Sequence, residues 1–186
     1  SAAQNIIVLS DNVFLYHFDH LQFAAIGVIG AFYLVLASIG YGFSRGGQIF
    51  IARKYGERDL QSLGAYFQAL VLFEAILSVV VFAFIHLFGY EFLKLLISSQ
   101  EILDYCYEYL KYRSYGVFFS YTGVALIALY TGIAQPKIIL IDTIVLTVSN
   151  IILNYVFVFG KWGAPEMGIG GSALASTLAE VLAFVV

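Results

Sequence analysis

The chain has 186 residues, of which 61% are hydrophobic and 11% are charged, and its mean hydropathy is +0.90. These values exclude an ordinary soluble domain and predict an integral membrane protein. The formal net charge of −3 comes without a basic patch or tail, so nucleic acid is not expected as a partner, and a single cysteine excludes an internal disulfide.

Short polar segments divide the chain into six predicted helices, so the expected fold class is an all-α membrane protein. Four apolar runs approach or exceed the roughly 20 residues that span a bilayer. The first and last helices lack a start or stop signal at the chain ends, so we expect both to be truncated parts of a longer protein. The predicted helices cover about 1–16, 23–52, 63–88, 104–132, 137–160 and 169–186.

Two acidic residues fall inside the first and third predicted helices. Asp11 stands near the middle of what would be a complete first helix, and Glu74 lies half-way along the third, with Ser78 one turn later. An Asp at the bilayer centre costs roughly 2.5–3.5 kcal/mol on insertion scales, so such a residue is expected to have a function and polar partners. Asp11 is the stronger candidate, and Glu74 is an additional polar one.

The fifth helix carries a polar stripe on an otherwise lipid-compatible surface. Its members follow the i, i+4, i+7, i+11 spacing of one helix face and are Thr143, Thr147, Asn150 and Asn154. An unpartnered amide in hydrocarbon costs several kcal/mol, so this face must look into protein or a water-filled cavity, which suggests transport. Asn150 and Asn154 are the predicted partners of Asp11, with Thr147 as an additional candidate. Ordinary interhelical hydrogen bonds, typically under about 2 kcal/mol per pair, are the alternative.

The sixth helix has a similar stripe, in which Ser172, Ser176 and Glu180 are spaced four residues apart. Glu180 would share a face with Ser176, although it could also sit at the membrane interface. Carboxylate and amide oxygens are hard ligands suited to Na⁺, and a proton can compete for the same carboxylate. The polar set therefore predicts a site for Na⁺ or H⁺, with Asp11 as its centre and no other metal.

Three segments, 11–15, 48–57 and 149–179, resemble the multidrug and toxic compound extrusion (MATE) transporters. The last is the most specific and is similar to the fifth and sixth helices of that family. The resemblance covers essentially the whole chain. It implies the first six-helix lobe of a twelve-helix protein of the multidrug/oligosaccharidyl-lipid/polysaccharide (MOP) flippase superfamily, whose two lobes are related by a pseudo-two-fold axis. The C-terminal lobe would be absent from this chain.

The resemblance also implies a cation-coupling site. The first-helix Asp of the family matches Asp11, its fifth-helix Asn matches Asn150, and its sixth-helix hydroxyl matches Ser176, with Thr177 as the alternative. Several family members carry Asp four residues after that Asn, where this chain has Asn154. With one carboxylate fewer, the site is expected to hold Na⁺ less strongly and to bind at most one proton.

The function implied is a secondary antiporter that exports organic, cationic and amphipathic drugs or toxic compounds in exchange for H⁺ or Na⁺. Expected partners are that substrate, the lipid bilayer of a bacterial inner membrane and the protein's own C-terminal lobe, without a cofactor. A lipid-linked saccharide flippase is the alternative, but Arg45 and Arg113 are too few for a cleft that binds pyrophosphate. A membrane enzyme is less favoured, because the sequence shows no convergent nucleophile, base or metal set.

Overall fold

The computed structural model describes residues 2–186, with side chains from Asn5 onward, and within this range it contains helices and turns but no strand. The helices are α1 (Ala2–Tyr16), α2 (His20–Gly56), α3 (Leu60–Leu96), α4 (Gln100–Arg113), α5 (Gly116–Gly132), α6 (Pro136–Val158) and α7 (Gly168–Val185). The predicted all-α class is confirmed.

Four of these helices, α2, α3, α6 and α7, are long and apolar enough to cross a membrane. The pair α4 and α5 meets the same criterion as one span bent by 55°, and the apolar part of α1, Asn5–Tyr16, is shorter. At 37 residues each, α2 and α3 extend about 55 Å, well beyond a hydrocarbon core of about 30 Å. Their ends therefore project past the core.

The helix predicted at 104–132 is two helices in the structure. The break falls at Ser114, whose hydroxyl donates to the Lys111 carbonyl at 2.8 Å, and α5 then begins at Gly116. Sharp helix bends commonly occur where a side chain bonds the backbone or where Ser and Gly lie close together. This break changes the direction of the chain directly after Arg113, the last residue of α4.

The second and third helices begin earlier than predicted, at His20 and Leu60. An aspartate precedes each start: Asp19 accepts the Leu21 and Gln22 amides, and Asp59 accepts the Ser62 amide. A side-chain oxygen at this position satisfies amides that have no partner within the helix. The caps therefore set both starts.

The helices pack in two groups, which contact each other directly, for example between α1 and α2, and also through α4. One group contains α2, α3 and α5, the other contains α1, α6 and α7, and α4 contacts both through α2 and α7. Aromatic residues such as Tyr33, Tyr109 and Tyr121 are buried in the interior, whereas Leu72 and Leu87 are exposed on the outside of α3. This distribution suits a bundle whose outer surface faces lipid and whose polar groups are enclosed.

Candidate cation site

Asp11 is completely buried and lies where α1 packs against α6 and α7, within reach of a side chain from α4. The Ser176 hydroxyl is 3.0 Å from Oδ1 and 2.9 Å from Oδ2, and the Asn154 amide donates to Oδ1 at 2.9 Å. The Tyr109 hydroxyl donates to Oδ2 at 3.2 Å. Three other helices thus supply neutral donors to one carboxylate, which stabilises its ionised form without a direct cationic partner.

Asn150 completes the arrangement from one turn earlier on α6. Its amide nitrogen donates to the Ser176 hydroxyl at 2.9 Å and lies 3.4 Å from Asp11 Oδ1. The spacing of four residues between Asn150 and Asn154 puts both amides on the face of α6 that meets α1 and α7. The structure therefore brings Asp11, Asn150, Asn154 and Ser176 together, and we call this set, with Tyr109, the Asp11 cluster.

The oxygen atoms of the cluster fit a small hard cation. Asn150 Oδ1 and Asn154 Oδ1 are both buried, and neither accepts a hydrogen bond from the described part of the chain. Rotation of either amide about its last side-chain bond exchanges the oxygen with the nitrogen that now faces Asp11. Carboxylate, amide and hydroxyl oxygens would then converge, which is the ligand chemistry that Na⁺ accepts.

Two of the residues predicted for this site make no described hydrogen bond with it. The Thr177 hydroxyl donates to the Tyr112 carbonyl at 3.2 Å, because one residue along a helix turns a side chain about 100° away from Ser176. Thr147 is half-buried, and none of the described hydrogen bonds links it to the cluster. Of the two hydroxyls considered on α7, Ser176 is the one that reaches Asp11.

Glu180, predicted as an additional polar candidate, is held in a buried ion pair. Two guanidinium nitrogens of Arg113 donate to its two carboxylate oxygens, each at 2.6 Å, and the paired side chains are 1% and 4% exposed. The guanidinium carbon also lies 4.3 Å from the centre of the Tyr33 ring, in cation–π geometry. The negative charge of Glu180 is therefore already balanced.

This role of Arg113 was not predicted from the sequence. The available signal is a matched spacing: Tyr109 and Arg113 are four residues apart on α4, as are Ser176 and Glu180 on α7. The structure aligns these pairs, so that α4 and α7 are joined once through Asp11 and again one turn later through the ion pair. A Cβ atom on Gly116 would lie 2.5 Å from Arg113 and 2.7 Å from Glu180, so glycine leaves the room that the pair needs.

Glu74 is also buried but belongs to the other helix group. Its Oε1 accepts a hydrogen bond from Ser44 of α2 at 2.7 Å. It shares no described hydrogen bond with the Asp11 cluster, which is built from α1, α4, α6 and α7. The lobe therefore has buried carboxylates in two separate places.

The fold and the sequence relatives agree on a family. The MatE family model matches residues 1–156. The chain belongs to the MatE family. It superposes with a TM-score of 0.90 on the inward-facing conformation of a multidrug resistance MATE family transporter of the MOP superfamily, over 98% of this chain and 40% of that one, at 18% identity. The resemblance drawn from the sequence is confirmed, and the fold is that of one lobe of such a transporter.

Two bacterial relatives are similar in sequence. The chain is 27% identical over 163 residues to the Probable multidrug resistance protein YoeA of Bacillus subtilis, covering 88% of this chain and 35% of that protein. It is 27% identical over 183 residues to the Probable multidrug resistance protein NorM of Agrobacterium fabrum, covering 98% and 39%. The chain thus spans less than two-fifths of the length of these relatives. Together with its apolar helices, the family assignment makes it part of a multi-pass membrane protein.

Proposed function

We propose that the protein is a secondary antiporter of the bacterial inner membrane that exports organic compounds in exchange for H⁺ or Na⁺, and that the Asp11 cluster binds the coupling ion. One observation carries the proposal: Asp11 is wholly buried, yet its direct partners are all neutral side chains. A buried carboxylate of this kind is costly in a membrane and marks a functional site.

The charges in this region set how many ions can bind. Two carboxylates, Asp11 and Glu180, and one guanidinium, Arg113, leave one net negative charge where α4 and α7 meet α1. One Na⁺ or one proton neutralises it. Because Asn154 occupies the position where a second carboxylate could stand, the cluster offers one titratable carboxyl, and we infer one monovalent ion per transport cycle.

Ion binding at Asp11 would change how α1 is held. In the ionised state the carboxylate accepts from α4, α6 and α7 at once. A protonated carboxyl becomes a donor at one oxygen, and a bound Na⁺ turns the amide oxygens inward, so either ion requires these hydrogen bonds to rearrange. An ion that binds one arrangement more tightly shifts the equilibrium toward it, which is the requirement for coupling to a second ligand.

The substrate class is inferred from a cavity at one side of the lobe and from the relatives. The cavity has a volume of about 320 Å³ and is mostly apolar, with one carboxylate, and its lining includes Leu126, Ile127, Tyr130, Ile139, Asp142 and Phe184. An apolar wall with two aromatic rings and one acid suits an amphipathic organic cation. The printed names of both bacterial relatives refer to multidrug resistance. A C-terminal lobe of the same protein would complete the cleft.

The flippase alternative gains no support from the structure. A site for pyrophosphate would need unengaged basic side chains, and the guanidinium of Arg113 is committed to Glu180. Arg45 is exposed on α2, a helix that supplies no residue to the Asp11 cluster. We therefore propose transport of organic compounds only.

The test is efflux of a cationic dye from liposomes that contain the full-length protein, under an imposed Na⁺ or pH gradient. We expect gradient-driven efflux by the wild type, its loss in Asp11→Asn, and its retention in Asp104→Asn, which makes the same chemical change at an exposed residue of α4. Unchanged efflux in a folded Asp11→Asn variant would move the coupling site out of this cluster. Absence of dye transport by the wild type under both gradients would contradict the antiporter and favour the flippase.

A further inference from the structure

The second buried carboxylate, Glu74, lies where α3 packs against α2 and α5. Ser44 of α2 donates to its Oε1 at 2.7 Å. A Cβ atom on Gly40 would lie 3.1 Å from Glu74 Oε2 and 2.6 Å from the Tyr121 ring, so the acid is enclosed by close contact between the helices. The Tyr121 hydroxyl donates instead to the Leu36 carbonyl, at 2.7 Å.

No positive charge faces Glu74 within ion-pair distance in the described part of the chain. The ion pairs found there join Arg113 to Glu180, and Arg53 or Lys54 to acids of the loop after α2. On α3 itself, Ser78 donates to its own helix, at the Ala75 carbonyl. The helix α4 meets α3 about four turns further on, near Gly89 and Tyr90.

Glu74 is therefore much less well satisfied than Asp11. Its Oε1 accepts one hydrogen bond, and its buried Oε2 accepts none from the described residues. An ionised carboxylate in this setting is costly, and it can be relieved only by a cation or a proton. One carboxyl and one hydroxyl supply too few oxygens for a metal ion, so a proton is the ligand that fits.

Ser44 also lines a second cavity, with polar and apolar walls, that Glu74 does not reach. The cavity has a volume of about 260 Å³, and its polar lining consists of Tyr41, Ser44, Arg45, Gln48 and Thr131. Arg45 and Thr131 are exposed, so the cavity reaches the surface of the lobe. The Ser44 hydroxyl is thus the group that connects Glu74 with this cavity.

We propose that Glu74 is an exchangeable proton-binding site, separate from the Asp11 cluster, and that Ser44 passes the proton between Glu74 and the cavity. A hydroxyl can donate and accept at the same time. As a hydronium ion in the cavity gives a proton to Ser44 Oγ and becomes water, the hydroxyl proton of Ser44 moves to Glu74 Oε1. Ser44 then accepts a hydrogen bond from the neutral acid, and release follows the same steps in reverse.

The test is infrared difference spectroscopy of the full-length protein in lipid vesicles, as the pH is varied and as H₂O is replaced by D₂O. We expect a carbonyl band of a buried, protonated carboxyl that weakens as the pH rises. The band should be present in Asp11→Asn, where the Asp11 carboxyl cannot contribute. It should be missing when Glu74→Gln, which keeps the oxygen that accepts from Ser44, is added to that variant. This measurement requires no transport, so it stands or fails independently of the proposed antiport.

The role of Ser44 is tested by the rate at which the band shifts in D₂O. We expect the shift to slow at least tenfold in Ser44→Ala and to keep its wild-type rate in Ser38→Ala, a serine of the same helix whose hydroxyl donates to the Leu34 carbonyl. A band that survives in the double variant Asp11→Asn with Glu74→Gln, or one that never weakens with rising pH in Asp11→Asn, would overturn the proton site. Equal rates in both serine variants would overturn the relay.

Discussion

Asp11 and Glu180 are two carboxylates of one interface, and only Glu180 is paired directly with a cation. Both are buried, and both are contacted by a side chain of α4. Asp11 bonds Ser176 of α7, and Glu180 lies one turn further along the same helix. Asp11 is held by hydroxyls and amides, whereas Glu180 receives both arms of the Arg113 guanidinium. Burial of an acid is therefore not sufficient to mark an ion site. The acid must also keep a negative charge that no protein cation balances.

The two carboxylates also contribute differently to the fold. The Arg113–Glu180 pair joins α4 to α7 through two charged hydrogen bonds in a low-dielectric interior, where a charge left alone is strongly unfavourable. The Asp11 cluster joins the same helices through neutral donors, whose bonds can rearrange when an ion binds. The ion pair is therefore suited to fix the packing of α4 against α7, and the Asp11 cluster is suited to change that packing when an ion binds.

The largest effect is expected from a substitution that breaks the ion pair between Arg113 and Glu180. We expect Arg113→Met to lower the free energy of unfolding by about 3–5 kcal/mol, because it leaves Glu180 buried without its cation. The double variant Arg113→Met with Glu180→Met should recover most of this loss, since apolar side chains of similar volume replace both charges. Thermal and denaturant unfolding of the purified protein in detergent measures both.

The matched control for the ion pair is Arg53→Met. Arg53 pairs with Glu57 at 2.9 Å, but these side chains are 73% and 40% exposed, so loss of the pair should change stability little. If the single variant at Arg113 were as stable as wild type, the guanidinium would not be the group that balances Glu180, and the contrast with Asp11 would fail.

A second change makes the Asp11 cluster more negative. Asn154→Asp places another carboxylate beside Asp11, in the position where Asn154 now donates at 2.9 Å. Attraction between close charges in a partly shielded site amounts to several kcal/mol, so Na⁺ should bind at least about tenfold more tightly. Proton uptake should occur in two coupled steps instead of one. Calorimetric titration with Na⁺ at fixed pH measures the affinity.

Gln135→Glu is the control for this charge. It converts an amide to an acid in the exposed joint before α6, so it adds the same net charge to the lobe without adding it to the cluster. Its Na⁺ affinity should equal that of the wild type. An equal gain in both variants would show that the overall charge of the lobe, and not the composition of the Asp11 cluster, sets ion binding.

The parts of this arrangement that could be predicted are those that depend on one helix at a time. The i, i+4 spacing on α6 and α7, with the cost of a polar group in lipid, indicates that Asn150, Asn154 and Ser176 face the protein interior. Periodicity does not give the rotation of α4 against α7, so it could not pair Arg113 with Glu180. It also could not place the break at Ser114, which depends on one side-chain bond to the backbone.

The smallest effect is expected from a substitution that removes one neutral hydrogen-bond donor from Asp11. Tyr109→Phe deletes the hydroxyl that donates to Oδ2 at 3.2 Å, a bond worth about 1 kcal/mol or less at this length. The bond stabilises the ionised, ion-free carboxylate, so its loss should favour the bound forms and raise the affinity for Na⁺ by less than about tenfold. Tyr105→Phe, a half-buried tyrosine of α4 whose hydroxyl makes no described hydrogen bond, should leave the affinity unchanged. A weaker affinity in Tyr109→Phe would mean that the tyrosine hydroxyl is itself an ion ligand. Ion binding at Asp11 would then depend on α4, and the contrast between Asp11 and Glu180 would be smaller than described above.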